Sequence, residues 1–84
     1  MKILKFWAPW CGNCAAFAPI VEEVSKELGV TVISVDASKA LDLCDKYKVM
    51  NLPTLIVTKD GVEVLRVCGL LSKKDLLDKI KNIM

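Results

Sequence analysis

The spacing of hydrophobic positions changes abruptly near the start of the chain. Residues 2–7 form a short apolar and aromatic run that predicts a first strand, and Pro9 ends it by favouring an extended residue before it. From residue 12, apolar residues recur three and four positions apart, the period of an amphipathic helix that ends at Gly29. Pro19 lies inside this helix and predicts a kink. The apolar positions of the helix are Phe17, Ile20, Val21, Val24 and Leu28.

The middle of the chain predicts a second strand and a short second helix. Residues 30–35 are mostly β-branched and apolar, which is typical of a buried strand. Asp36 or Ser38 comes next and is the expected N-cap of the helix. The apolar face of that helix is expected to consist of Ala40, Leu41, Cys44 and Tyr47.

The last part of the chain predicts a hairpin and a third helix. The apolar runs 54–58 and 62–67 flank an Asp60-Gly61 pair, a strong signal for a tight turn between two strands. Ser72 stands three residues before Asp75, as in a capping box. The helix that begins there has an apolar face made of Leu76, Leu77, Ile80 and Ile83.

The order of elements, β-α-β-α-β-β-α, predicts an α/β fold. A helical crossover makes the first two strands parallel, and the hairpin makes the last two antiparallel. We therefore expect a four-stranded mixed sheet with three helices covering both of its faces, an α/β/α sandwich. With 84 residues, the chain is expected to form a single domain over residues 1–84.

Composition and charge exclude several classes of protein. Hydrophobic residues make up 54% of the chain, which excludes disorder, and a net charge of +2 provides no basic field for nucleic acid. There is no histidine to serve as a base, a metal ligand or a pH switch. No apolar run is long enough to span a membrane, and Lys5 interrupts the apolar core that an N-terminal secretory signal needs. We expect a cytoplasmic monomer that binds neither nucleic acid nor membranes.

Two of the four cysteines lie in the segment Trp10-Cys11-Gly12-Asn13-Cys14, where the first strand passes into the first helix. Residues three apart on a helix have Cβ atoms about 5–6 Å apart. A disulfide needs roughly 3.5–4.5 Å, so the pair can open and close with little backbone movement. Gly12 keeps this turn adaptable and lets a partner chain approach.

Their position predicts different roles for the two thiols. Unpaired N–H groups and the positive end of the helix dipole favour a thiolate at Cys11, because such sites lower a thiol pKa from about 8.5 into a range of roughly 3.5–7.5. The thiolate is the attacking species in disulfide exchange, which passes through a mixed disulfide. Cys14 lies one turn further into the helix and is expected to be the more buried, resolving thiol.

A structural disulfide and a metal or iron–sulfur site are the alternatives for these cysteines. A four-cysteine site would need Cys44 and Cys68, which do not form the second close pair expected of such sites. We expect Cys44 to be a buried thiol on the second helix. Cys68 is expected to be another buried thiol, with a regulatory or resolving role as the alternative.

Several segments together resemble the thioredoxin family. The segment from Phe6 to Cys14, FWAPWCGNC, resembles its active-site sequence, and Leu52-Pro53-Thr54 resembles its cis-proline loop. Tyr47-Lys48-Val49, the hairpin and Cys68-Gly69 fall at matching places. The resemblance covers nearly the whole chain, which lacks the extra N-terminal strand and helix of longer thioredoxins and has the glutaredoxin-length version of the fold.

The resemblance implies a role for each matched residue. Pro53 is expected to be cis and to present the backbone of Leu52 to an extended substrate strand. Trp10 is expected to form part of the apolar rim around the nucleophile, and Trp7 to pack beneath the site. The substrate-binding residues expected in this way are Trp10, Gly12, Asn13, Leu52, Pro53 and Gly69.

Three positions depart from the family pattern. Asn13 replaces a common proline in the dipeptide that influences the redox potential. Lys5 replaces a buried acid, and Val32 is taken as the position of the lysine that pairs with that acid. We expect Lys5, as a cation, to favour a thiolate at Cys14; the alternative is that Lys5 extends into solvent at a strand end.

These observations predict a protein-disulfide reductase that uses the Cys11/Cys14 dithiol and needs no metal or bound cofactor. The resemblance implies protein substrates with disulfides and recycling by a thioredoxin reductase, with glutathione as the alternative reductant. A glutaredoxin-like, glutathione-dependent reductase is the alternative function, although Leu52-Pro53 favours the thioredoxin side. A metal or iron–sulfur carrier is the less favoured alternative.

Overall fold

The computed structural model describes residues 1–84 and contains seven elements in the expected order. The predicted β-α-β-α-β-β-α fold, with a four-stranded mixed sheet and three helices, is confirmed. The elements are β1 (Lys2–Trp7), α1 (Gly12–Leu28), β2 (Thr31–Asp36), α2 (Leu41–Tyr47), β3 (Thr54–Lys59), β4 (Val62–Cys68) and α3 (Lys73–Lys81).

The strand order in the sheet is β2-β1-β3-β4, so β1 and β3 are the central strands. β1 is parallel to β2 and antiparallel to β3, and β3 forms the predicted hairpin with β4. Asp60 and Gly61 in the hairpin turn both have positive φ, 54° and 81°, as a tight mirror-image turn requires. Because β1 is a central strand, the residues that follow it leave the sheet at one end, with β2 on one side and β3 on the other.

The two faces of the sheet carry cores of different size. The α1/α3 face holds a cluster of ten buried residues that joins the sheet to both helices. The α2 face holds a cluster of only three, Phe6, Val35 and Ile56, with partly buried side chains from α2 and the following loop packed against it. The members of the larger cluster are Ile3, Phe17, Val21, Val24, Val30, Leu55, Val57, Val67, Leu76 and Ile80.

Helix α1 continues without a break for 17 residues and includes Pro19. Its buried residues Phe17, Val21 and Val24 belong to the larger cluster, which fixes the helix on the sheet. Gly29 ends it, and the Gly29 N–H donates to the Ser25 carbonyl. None of the three helices combines the length and the apolar character that crossing a bilayer requires.

Three local expectations were wrong. The N-cap of α2 is Ala40, because the Asp36 carboxylate instead accepts bonds from the backbone N–H and hydroxyl of Ser38, at 3.0 and 2.6 Å. Leu41 does not join the apolar face of α2 and is 70% exposed. The second strand begins and ends one residue later than the run 30–35, at Thr31–Asp36.

Arg66 compensates for the small core on the α2 face. It lies opposite Ile56 on β4, and its guanidinium donates to the carbonyl oxygens of Tyr47 and Lys48 at the end of α2. The same guanidinium forms an ion pair with Glu63, with an Nε–Oε2 distance of 2.9 Å. This bond lowers the pKa of the Glu63 carboxyl and raises the pKa of Arg66.

Candidate active site

The cysteine pair lies at the N-terminus of α1, as the sequence predicts. Cys11 is the N-cap residue, with extended backbone angles (φ −93°, ψ 104°), and its Sγ accepts a hydrogen bond of 3.2 Å from the Cys14 N–H. A sulfur atom in the N-cap position is therefore stabilised by an amide that would otherwise lack a partner. Negative charge on this sulfur is also favoured by the helix dipole.

Cys11 and Cys14 form a disulfide, with their Cα atoms 5.2 Å apart. The two sulfur-bearing residues differ in exposure, because Cys11 is half-buried whereas Cys14 is only 5% exposed. This difference agrees with an accessible nucleophile and a resolving thiol behind it. The arrangement can therefore cycle between a dithiol and a disulfide.

A recess of about 320 Å³ lies beside the disulfide, between α1 and the strands β1 and β2. Its only ionisable side chain apart from the cysteines belongs to Lys5, and no carboxylate lines it. The lining residues are Lys5, Trp7, Ala8, Pro9, Cys11, Cys14, Ala15, Ala18 and Ser34. The side of the disulfide that faces the sheet is thus apolar apart from a few hydrogen-bond donors.

Lys5 lies on the α1/α3 face of β1, because Ile3 belongs to the core of that face and side chains alternate along a strand. Its neighbour on β2 is Ser34, not Val32, which pairs with Ile3. Val32 lines an adjoining groove together with Lys5, and its equivalence to the lysine position of the family stays a prediction. Lys5 makes no ion pair and no side-chain hydrogen bond within the chain.

The two tryptophans lie on different sides of the site. Trp10 is 74% exposed directly before Cys11, as expected for a residue on the rim. Trp7 lines the recess beside both cysteines, and its Nε1 atom is buried with no hydrogen-bond partner. The exposure of Trp10 agrees with a place on the rim of the site, and the position of Trp7 agrees with a place beneath it.

The Leu52–Pro53 peptide bond is cis, as expected. β1 and β3 are in register from Lys2↔Thr58 to Phe6↔Thr54, so Pro53 lies one residue beyond this ladder, across from Trp7. The Pro53 carbonyl accepts a 2.9 Å bond from the Gly69 N–H, and Gly69 has a φ of 93° that favours glycine. This hydrogen bond ties the loop before β3 to the residue after β4, at the same end of the sheet as the disulfide.

The backbone of Leu52 has free hydrogen-bonding capacity. Neither its N–H nor its carbonyl oxygen makes a hydrogen bond within the chain, whereas the adjacent Asn51 carbonyl accepts from the Thr54 hydroxyl at 2.6 Å. Free backbone groups that are held in place next to a strand can pair with the backbone of another chain. The loop therefore offers a place for strand addition.

Gly12 and Asn13 are both exposed at the first turn of α1. A Cβ atom built on Gly12 would meet nothing within 4 Å, and its φ lies outside the glycine region. The fold itself thus does not require glycine at this position. Space beside the disulfide is open for an approaching molecule.

The other two cysteines do not join the site as metal ligands. Cys44 is half-buried, and its sulfur is 3.9 Å from the Ala37 carbonyl oxygen. Cys68 is exposed, so the expectation of a buried thiol was wrong: it ends β4 on the α2 face, where no helix covers it. No three cysteine or carboxylate side chains lie close enough together to hold a metal ion.

Sequence reasoning missed part of the site. Ser34 and Pro9 line the recess, and Leu70, after Gly69, is 47% exposed at the end of the sheet that carries the disulfide. Ser34 could have been found, because it is the polar residue in the alternation Val30, Val32, Ser34 along one strand face. Nothing in the local sequence signals the exposure of Leu70.

Comparison with known proteins places the chain in a family. The family model for thioredoxin matches residues 1–82. The chain is 39% identical to the thioredoxin of Bacillus subtilis over 82 residues, which cover 95% of this chain and 78% of that protein. It is 38% identical to the thioredoxin of Staphylococcus epidermidis over 80 residues, 93% of this chain and 77% of that protein.

Solved structures agree with this result. A mutant thioredoxin from Halobacterium salinarum superposes with a TM-score of 0.91 and 32% identity, covering 96% of this chain and 72% of that one. Thioredoxin-2 of the malaria parasite, described as a component of a protein secretion machinery, gives a TM-score of 0.89 and 30% identity, covering 96% and 81%.

Sequence, fold and disulfide position point to the same chemistry. A protein of this kind has protein substrates and, in general, a thioredoxin reductase as its partner. The chain belongs to the thioredoxin family and is a thiol–disulfide oxidoreductase with protein-disulfide reductase activity and an active-site disulfide between Cys11 and Cys14.

Proposed function

We propose that Cys11 is the nucleophile and Cys14 the resolving thiol in the reduction of protein disulfides. The Cys11 thiolate attacks one sulfur of the substrate, a Cys11–substrate disulfide forms, and the other substrate sulfur leaves as a thiolate. Cys14, having released its proton to solvent, then attacks the Cys11 sulfur. The second substrate sulfur leaves as a thiolate, and two electrons have passed from the dithiol to the substrate.

The observation that supports this assignment is the asymmetry between the two cysteines. Cys11 is the accessible N-cap residue and accepts an amide hydrogen bond at its sulfur, whereas Cys14 is almost fully buried behind it. Ionisation is favoured at the N-cap, and access is needed only by the thiol that meets the substrate. The reverse assignment would require a large substrate to reach a buried sulfur.

Substrates are proposed to dock as an extended strand beside Leu52. The free N–H and carbonyl of Leu52 would pair with the substrate backbone by strand addition. Pro53 and Gly69 hold that loop in place, while the exposed Trp10 provides an apolar contact beside the nucleophile. Gly12 and Asn13 would lie close to the substrate sulfur, where Gly12 leaves room for it.

The last step is the reduction of the oxidised protein back to the dithiol. The Cys11–Cys14 disulfide is proposed to be reduced by a thioredoxin reductase and not by glutathione, with residues 1–84 acting as one domain and as a monomer in the cytoplasm. Net reduction of substrates needs a compartment that keeps thiols reduced, which supports this location. All chemical groups that the exchange requires are present in the dithiol, so the proposal includes no cofactor.

A pair of cysteine variants tests the assignment of roles. Cys14→Ser removes the resolving thiol, and we expect it to accumulate mixed disulfides on Cys11 when incubated with oxidised protein substrates. Cys11→Ser is the matched control and should trap almost nothing. Mass spectrometry of tryptic peptides identifies the linked cysteine; trapping on Cys14 in the control at an equal yield would overturn the assignment.

Hydrogen exchange tests the docking proposal. In a mixed disulfide between Cys14→Ser and a cysteine peptide, the Leu52 amide is expected to exchange at least about tenfold more slowly than in the free protein, because it gains a hydrogen bond. The Gly69 amide, already bonded to Pro53, is the internal reference and should change little. An unchanged Leu52 rate in the mixed disulfide would contradict strand addition.

A further inference from the structure

The recess beside the disulfide contains one positive charge and no negative charge. Lys5 enters it from β1, and the only residue that faces it from β2 is Ser34. From α1 and its N-cap the recess receives the two cysteines and two alanines, Ala15 and Ala18, none of which carries a charge in the disulfide form. A single cation therefore shares a partly enclosed space with the sulfur of Cys14.

The charged groups nearest to this recess are engaged elsewhere. Glu22 and Lys26 of α1 line the adjoining groove and form an ion pair with each other at 3.7 Å. Asp36 at the end of β2 accepts two bonds from Ser38. Lys5 and Ala18 line both spaces, and no carboxylate forms an ion pair with Lys5.

We infer that Lys5 is a positioning residue for the resolving step, where its charge stabilises the thiolate of Cys14. This inference rests on the dithiol mechanism proposed above. Burial alone disfavours the ionised form of a thiol, and Cys14 is 5% exposed. An unpaired cation that lines the same recess opposes that effect, and the protein atoms around the half-exposed Lys5 screen its charge less than bulk water would.

The inference predicts a specific change in the resolving step. In that step the Cys14 thiolate attacks Cys11, the Cys11–Cys14 bond forms, the Cys11–substrate bond breaks, and the substrate leaves with the electron pair. Removing the charge of Lys5 would make the Cys14 thiolate less stable. Below the pH at which Cys14 ionises, each pKa unit of lost stabilisation reduces the fraction of Cys14 present as thiolate about tenfold. The more basic thiolate is about threefold more nucleophilic, so the net loss in rate is about three- to fourfold.

The pH profile distinguishes this electrostatic role from a structural one. Lys5→Met keeps a long apolar side chain and removes the charge, so we expect resolution about three- to fourfold slower at pH 7 and no slower than the parent where Cys14 is fully ionised. Lys5→Arg keeps the charge and should restore the parent profile. A packing defect would instead slow resolution by the same factor at every pH.

The measurement is stopped-flow reaction with an aromatic disulfide that releases a coloured thiolate. It is made in a Cys44→Ala, Cys68→Ser background, so that the first equivalent of colour reports attack by Cys11 and the second reports resolution by Cys14. Lys2→Met is the matched control: it loses the same charge from the same strand, about 10 Å further along. We expect Lys2→Met to leave both phases unchanged.

The outcomes separate the two proposals. If the second equivalent is released by the parent but its pH profile is the same in Lys5→Met, the inference about Lys5 is wrong and the dithiol mechanism stands. If the parent releases no second equivalent, the dithiol mechanism itself is wrong. A profile shifted to higher pH in Lys5→Met, and restored in Lys5→Arg, establishes the role of Lys5.

Discussion

The two faces of the sheet differ in the size of the hydrophobic core that they carry. The α1/α3 face has a core of ten buried residues, whereas the α2 face has three and relies on Arg66 to hold the end of α2. The disulfide lies on the helix of the first face. The loop that presents Leu52 follows the helix of the second face.

This difference indicates how reaction and recognition are separated in a very small fold. The cysteines need a constant geometry, and the large core fixes α1 through Phe17, Val21 and Val24. The loop that carries Leu52 packs only against the smaller core and is held at its end by the bond between Pro53 and Gly69. In the proposed mechanism, the first face thus supports the cysteines and the second supports the loop at which substrates would dock.

The largest expected effect comes from breaking the core of the α1/α3 face. Phe17→Ala removes a fully buried ring from α1 and should lower the free energy of unfolding by about 3–5 kcal/mol. Leu43→Ala on the exposed part of α2 is the control and should cost about 0.5 kcal/mol or less. Urea unfolding measures both, and equal losses would contradict a large contribution of this buried core to stability.

A smaller effect is expected from removing the support of α2. Arg66→Met loses the bonds to the carbonyls of Tyr47 and Lys48, and we expect a loss of about 1–2 kcal/mol, since the side chain is partly exposed. Lys39→Met removes an exposed charge without such bonds and should change stability by about 0.5 kcal/mol at most. If Arg66→Met cost no more than this control, Arg66 would not compensate for the small core.

The smallest expected effect is a pH dependence from Glu63. Its bond to Arg66 holds the pKa of the Glu63 carboxyl below its ordinary value of about 4.3, so the folded state favours the ionised form. The resulting stability is present above that value and is lost as pH falls through the lower folded pKa. Because the pair is exposed, Glu63→Gln should cost less than about 1 kcal/mol at pH 7.

Urea unfolding of the parent and Glu63→Gln at several pH values provides the test. The two proteins should differ at pH 7 and converge in acid, where the parent carboxyl is also protonated. A difference that is constant over this range would mean that the substitution acts through something other than the charge of Glu63.

Most of the fold could be predicted from the sequence because its signals are periodic. The stripe of α1, the Asp60-Gly61 turn and the Ser72 cap each specify a local structure, and all three were confirmed. The Ser72 side chain accepts from the Asp75 N–H at 3.2 Å, as in the predicted cap. Asp36 was misassigned because a side chain that caps a helix and one that closes a turn have the same local sequence signature.

Site residues could be predicted from the sequence mainly where they belong to a recognisable motif. Cys11 and Cys14 were identified from their spacing at the start of a helix and the cis bond at Pro53 from the resemblance, and the structure shows the disulfide and the cis bond. The alternation along β2 indicates the strand face on which Ser34 lies, but its place beside Lys5 follows only from the strand register. The exposure of Cys68 depends on how much of β4 the short α2 covers, which no local pattern indicates.

The proposed mechanism requires that position at the helix N-terminus, and not exposure alone, makes Cys11 the reactive thiol. Alkylation of the reduced protein by iodoacetamide at pH 7, followed at each cysteine by mass spectrometry, tests it most directly, because Cys68 is more exposed than Cys11 but lies at a strand end. We expect Cys11 to react at least about three times faster than Cys68, and Cys14 to stay largely unmodified. Faster reaction at Cys68, or equal rates at the two thiols, would contradict it.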